Sequence, residues 1–123
     1  MTLAESHVDV LIVDDDEDQR LILRRYFERL GCRVTATADA AEATLAFRAH
    51  PPHLAVIDLI LPGMDGWELA ALFRSENPAC AIAITSVLEA SDYPESDAVL
   101  PKPVTSEQVR LVLRDHVPHW TAR

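Results

Sequence analysis

Short apolar runs that alternate with stretches of helical periodicity constrain this chain more than any other feature. The runs are Val8–Val13, Arg33–Ala36, His53–Asp58, Ala79–Ile84 and Ala98–Leu100, each of a length suited to a strand. Glu17–Leu30 carries Leu21, Leu23, Tyr26, Phe27 and Leu30 largely on one side, and Gly31 follows as a stop. Ala40–Ala49 opens after Asp39, which pairs with Glu42 as a capping box, and Gly66–Glu76 opens after Asp65, which pairs the same way with Glu68. Asn77-Pro78 closes that helix, and Ser106–His116 starts behind Thr105 and Gln108 in the same relation. Alternation of this kind calls for a parallel sheet with helical crossovers. The first and third runs are almost wholly apolar, as strands covered on both faces must be. No linker, repeat or low-complexity segment divides the 123 residues, so the expectation is one α/β domain over 1–123.

Polar chemistry collects where these strands end. Asp14, Asp15 and Asp16 close the first, Asp58 the third and Thr85 the fourth, and Lys102 follows the fifth. The carboxyl ends of parallel strands share one edge, and ligands bind there where strand order reverses. If the first and third strands are neighbours, Asp14, Asp15 and Asp58 converge, and their mutual repulsion asks for a cation. Magnesium suits this best, because it takes one or two carboxylates, keeps waters and shares a phosphate oxygen. Lys102 adds a fixed positive charge and Thr85 a hydroxyl donor, both useful to a transferring phosphoryl group. A carboxylate can itself be the nucleophile.

The set VDDD, IDLILPGMDG, ITS and PKP, in that order, resembles the receiver domains of two-component response regulators, of the chemotaxis-regulator kind. The likeness covers nearly the whole chain. It implies a flavodoxin-like, doubly wound five-stranded parallel sheet of order 2-1-3-4-5. It implies Asp58 as phosphoacceptor, Asp15, Asp58 and the Ile60 carbonyl as ligands of Mg²⁺ (or Mn²⁺), and Asp14 acting through water. Thr85 and Lys102 match the switch hydroxyl and the phosphate-binding lysine, and the Lys102–Pro103 bond is expected to be cis. The implied partner upstream is a histidine kinase or phosphotransfer protein, and phosphorylation shifts a pre-existing conformational equilibrium that controls an unnamed downstream protein. The implied role is signalling and not enzymatic.

The chain departs from that pattern in one stretch. Only sixteen residues separate Thr85 from Lys102, among them Ser91, Pro94 and Ser96, which is poor helix material, and Val99 replaces the usual aromatic. The fourth helix is therefore expected to be shortened or irregular, and a homodimer through the usual fourth-helix and fifth-strand face to be altered or absent.

Other readings of the same residues compete. The run Asp14–Asp18 also suits a plain helix N-terminus. It fails as a calcium loop, because position six is Gln19 and position twelve Arg25. An unphosphorylated interaction domain is disfavoured by the intact Asp14, Asp15, Asp58, Thr85 and Lys102 set. An aspartate-nucleophile phosphatase is disfavoured because Asp14-Asp15-Asp16-Glu17-Asp18 lacks that motif's last element. His116 and His119 have metal-like spacing but no further ligands nearby, which suits a solvated tail. Twenty acidic against eleven basic residues give a net charge of −9, which argues against this domain binding nucleic acid, since phosphate backbones demand a basic face. No apolar run can span a bilayer and no secretory signal opens the chain, so the expected location is the cytoplasm, with Cys32 and Cys80 as buried thiols.

Overall fold

A computed structural model describes residues 7–87 and 96–121. Along the chain run β1 (Val8–Val13), α1 (Glu17–Arg29), β2 (Cys32–Thr37), α2 (Ala40–Ala49), β3 (Leu54–Asp58), α3 (Gly66–Glu76), β4 (Ala81–Ser86), β5 (Ala98–Pro101) and α4 (Ser106–His116). The five strands are parallel and lie in the order β2-β1-β3-β4-β5. The chain leaves β1 for β2 on one side and then returns across β1 to β3, which puts the reversal of strand order between β1 and β3.

Alternation along each strand splits the core in two. Val8, Val10 and Ile12 of β1 face one side, packed with Leu23 and Phe27 of α1 and Val109, Val112 and Leu113 of α4. Leu11 and Val13 face the other, with Phe47 of α2 and Leu69 and Phe73 of α3. Phe47 and Phe73 stack with ring centroids 4.0 Å apart. All five residues of β3 are buried, and so are five of the six in β1, which matches their apolar composition.

The helices begin where their caps dictate. Asp16, Asp39, Asp65 and Thr105 each accept the N–H three residues on, at Gln19, Glu42, Glu68 and Gln108. Only Thr105 and Gln108 form the full reciprocal box. Glu42 reaches past its cap to the Ala38 N–H instead, at 2.8 Å, so the box expected there is half formed. α1 stops at Arg29, one residue before the expected Leu30, because Gly31 takes a positive φ of 88° and turns the chain. Leu21, expected on the inner stripe, is 45% exposed: the stripe that meets the sheet runs through Leu23 and Phe27.

Four of the five strands also differ at a boundary: β3 begins at Leu54, one residue after His53, and β5 runs one residue past Leu100 to Pro101. β2 extends one residue beyond Arg33–Ala36 at each end, since all six of its residues pair with β1. β4 begins at Ala81 instead of Ala79, because Ala79 and Cys80 are held in a turn on Asn77. It then continues past Thr85 to Ser86, which pairs with Pro101. The shortened fourth helix expected between β4 and β5 falls on residues 88–95, which lie outside the described residues.

One glycine fixes how α3 meets β3. A Cβ at Gly66 would lie 2.5 Å from the Asp58 carbonyl oxygen and 2.6 Å from the Leu59 Cα. Backbone contacts that close leave no room for any side chain. Gly66→Ala should therefore lower stability by about 1–3 kcal/mol through overpacking, read as a lower midpoint in urea at unchanged slope. An unchanged midpoint would show that α3 can retreat from the end of β3 without cost.

Candidate functional site

The carboxyl ends of β1 and β3 meet at the reversal of strand order, and each brings acid. Asp14 is wholly buried and Asp58 6% exposed, whereas Asp15 stands in solvent. One carboxylate oxygen from each of the three lies within 4.8 Å of the other two. The turn that carries the acidic pair is well tied. Asp14 donates its N–H to the Thr37 carbonyl at 3.1 Å, and its Oδ1 accepts the Asp16 N–H at 2.9 Å. The Arg20 guanidinium reaches back from α1 to the Asp14 carbonyl at 2.8 Å.

Lys102 is the basic counterpart. Its ammonium donates to Asp58 Oδ2 at 2.9 Å and sits 3.5 Å from Asp14 Oδ2. The other oxygen of Asp58, Oδ1, accepts the Ile60 N–H at 3.0 Å. The peptide bond after Lys102 is cis, as the sequence resemblance implies, and the Lys102 N–H is anchored on the Ser86 carbonyl at 2.9 Å. Thr85, paired with Asp58 across the sheet, is completely buried, and among the described residues its hydroxyl oxygen has no hydrogen-bond partner.

Charge and burial pull against each other here. Burial pushes the Asp14 carboxyl above its ordinary value; the Asp16 N–H and Lys102 oppose this, and the charge on Asp58 adds to it. Burial also works against a charge on Lys102, but the hydrogen bond to Asp58 and the charge of Asp14 outweigh it and hold the ammonium above its usual value. Both shifts rise for different reasons: the lysine has two carboxylates at hand, and each carboxylate shares one lysine. Three acids against one ammonium leave an excess of negative charge, and the buried Asp14 Oδ2 has only the Lys102 ammonium at 3.5 Å to answer it. An all-oxygen donor set of this kind fits a hard divalent cation.

The cluster opens on a shallow cleft of about 360 Å³ lined by Asp15, Asp16, Asp58, Ile60, Ser86, Val87 and Lys102. Its rim is apolar at two places, Ile60 and Val87, which are 60% and 75% exposed. All six residues singled out from sequence therefore gather at this edge: Lys102 touches Asp14 and Asp58, Asp15 has a carboxylate oxygen within 4.8 Å of theirs, and Ile60 and Thr85 lie beside Asp58. Arg20 was not foreseen, because a side chain that reaches back to its own loop leaves no mark in residue spacing. The tail beyond α4 leaves His119 exposed, as expected, but it is tied to the fold. His119 stacks edge-to-face on His53, with centroids 4.3 Å apart, and Trp120 donates its indole N–H to the Leu30 carbonyl at 2.9 Å.

Known proteins resemble the chain in both sequence and shape. The sequence profile of the response regulator receiver domain matches residues 10–114. An uncharacterized 14.6 kDa protein of Leptolyngbya boryana is 37% identical over 120 residues, which is 90% of each chain. The transcriptional regulatory protein CseB of Streptomyces avermitilis is 35% identical over 83 residues, or 68% of this chain, and the matched part spans only 35% of CseB. The probable transcriptional regulator ycf27 of Porphyridium aerugineum matches 35% of its own length in the same way, at 32% identity. The signal receiver domain of an HD domain-containing protein from Pseudomonas fluorescens superposes with a TM-score of 0.84 at 21% identity, covering 93% of this chain and 97% of its own. A CheY-like receiver domain from Methanospirillum hungatei gives 0.81 at 24% identity, covering 88% and 91%.

Proposed function

The chain belongs to the response regulator receiver domain family of two-component signalling, and from that premise we propose that Asp58 accepts a phosphoryl group from a histidine kinase or phosphotransfer protein. The observation that carries the reading is the convergence of Asp14, Asp15 and Asp58 within 4.8 Å, with Lys102 seated on Asp58. In the proposed reaction a carboxylate oxygen of Asp58 bonds to phosphorus as the phosphorus–nitrogen bond of the donor phosphohistidine breaks. Asp15, Asp58 and the Ile60 carbonyl would hold Mg²⁺ or Mn²⁺, with Asp14 acting through water. The ion would supply charge neutralisation for the phosphoryl oxygens.

The protein's own groups do the rest. Lys102 and the Ile60 N–H each take one oxygen of Asp58, so the carboxylate is held in a fixed plane facing the cleft. Lys102 is placed to follow the transferred charge, and the unpartnered Thr85 hydroxyl is a donor awaiting an acceptor on the same edge. Filling that need rewards one arrangement of β4 over another, which is how phosphorylation would bias a conformational equilibrium. In this reading residues 1–123 form one signalling domain that turns over no substrate. It works in the cytoplasm through a downstream protein and binds no nucleic acid by itself. Among the described residues, no helix is long and apolar enough to cross a membrane.

Incubation with acetyl phosphate and Mg²⁺ should add one phosphoryl group to the chain, and EDTA should prevent it. Sustained hydrolysis of external phosphate esters would instead favour the phosphatase reading.

The lifetime of that phosphoryl group should depend on Ile60 and Val87. Hydrolysis needs a water in line with phosphorus on the side away from Asp58, and these two side chains line the cleft without a polar atom to hold one. One orienting hydrogen bond is worth about 0.5–1.5 kcal/mol, or roughly a two- to tenfold change in rate. Ile60→Asn, and more so Ile60→Asn with Val87→Glu, should shorten the decay in magnesium buffer by about that factor. Equal decay in wild type and the double mutant would remove the apolar rim as the cause.

A further inference from the structure

The opposite edge of the sheet carries a second titratable arrangement, which the site at Asp58 does not use. His7 precedes β1, His53 precedes β3, and His119 follows α4. The imidazoles of His53 and His119 meet at 4.3 Å with planes 64° apart. His119 Nε2 lies 3.1 Å from the His7 carbonyl oxygen, which can only accept, so that nitrogen carries a proton. His53 Nδ1 accepts the Asp9 N–H at 2.9 Å, so that nitrogen carries none. The His53 main chain cannot retreat from this contact: its N–H donates to the Asp9 carbonyl at 2.9 Å and its carbonyl accepts the Ala81 N–H at 3.0 Å.

We propose that His53, His119 and the main chain at His7 and Asp9 form an acid-released latch that fastens the segment after α4 to the base of the sheet. Protonation of His53 would set a new N–H donor against the Asp9 N–H it now accepts, and would place a charge beside His119. Three groups face the ring. His119 comes from the segment after α4, Asp9 from β1 and Arg33 from β2. The Asp9 carboxylate, 4.0 Å from His53 Nδ1, is the one charged acceptor among them. Arg33 already takes both of its oxygens, at 2.8 and 3.1 Å. Burial, then the neighbouring His119, holds His53 below its ordinary value of 6.5 despite Asp9. A folded-state value below the unfolded one means that the neutral latch is complete above about pH 6.5 and is lost as pH falls through the folded value.

The latch holds something that can report on it. Trp120 lies one residue beyond His119, packs against the α1–α4 face of the core and donates to the Leu30 carbonyl. Opening the latch frees this indole while the sheet remains. Trp67, the second of the two tryptophans, is replaced by Phe in the test.

Emission of Trp120 in Trp67→Phe should shift to the red between about pH 8 and pH 5, with its midpoint below 6.5, while far-UV circular dichroism stays constant. Adding His53→Asn supplies an oxygen in place of Nδ1 as acceptor for the Asp9 N–H and removes the titration. Emission should then stay blue across the range. Adding His119→Ala to Trp67→Phe should give red emission throughout. A wild-type-like titration in the His53→Asn protein, or no shift at all before the circular dichroism collapses, overturns the proposal. If His53→Asn does not fold, NMR titration of His53 in the wild-type chain decides. A midpoint shared with the Trp120 shift supports the latch, and separate midpoints reject it.

Discussion

Asp58→Asn is expected to take up no detectable phosphoryl group under conditions in which the wild-type chain gains one, a loss of more than about a thousandfold in rate. The size of the loss follows from what the substitution changes and what it spares. An amide keeps an oxygen to accept the Ile60 N–H, and Asn fills the same volume at the end of β3. Lys102 keeps Asp14 Oδ2 at 3.5 Å as a partner. The edge should therefore stay folded, with an unchanged circular dichroism spectrum. The carboxylate proposed as nucleophile is gone, however, and one of the three clustered acids that would hold the cation is removed. Mass spectrometry after incubation with acetyl phosphate and Mg²⁺ reads the result directly. Phosphorylation of the variant at wild-type level would move the acceptor elsewhere, with exposed Asp15 the first to examine.

The largest effect on stability should come from Phe73→Ala. Phe73 is fully buried and stacks on Phe47 at 4.0 Å, the contact that joins α3 to α2 over one face of the sheet. Removing a buried aromatic ring costs about 3–5 kcal/mol, transfer and cavity together. For a domain of this size that is a fall in melting temperature of about 12–20 °C, measurable by calorimetry. Phe73→Leu keeps much of the volume and should lose clearly less. A fall under about 5 °C for Phe73→Ala would mean that α2 and α3 close over the gap. The stack also lies beneath the strand that ends in Asp58, so phosphoryl uptake in the folded fraction tests whether a loosened face reaches the site.

Local signals explain what the sequence made legible. The bounds of α2, α3 and α4 follow from Asp39, Asp65 and Thr105, because a cap is settled within three residues of itself. Strand ends are settled by partners far away. β4 runs two residues later than its apolar run because Leu54 pairs with Ala81, and nothing local announces that register. The acids and the lysine at the sheet edge were legible for a geometric reason: in a parallel sheet every strand delivers its last residue to the same side, so position along the strand is position in space. Contacts made by long side chains escape such reasoning. The Arg20 bond to the Asp14 carbonyl and the meeting of His53 with His119, which sit on separate segments of the chain, depend on the finished packing.

The two outer strands of the sheet bear on how the molecule behaves in a crowd. Among the described residues, β2 and β5 each have a flank with no neighbouring strand, and such flanks invite other chains to add on. β5 is only four residues long and ends in Pro101, which offers no N–H for a ladder to continue. β2 is longer, but it presents exposed Arg33, held in place by Asp9, and exposed Thr35. A bound charge at the second residue of that strand must be stripped of water before another backbone can approach. Arg33→Val would remove it and leave a smooth β-branched edge, so this variant is expected to associate with itself more readily than the wild type although the site lies apart from the acidic edge.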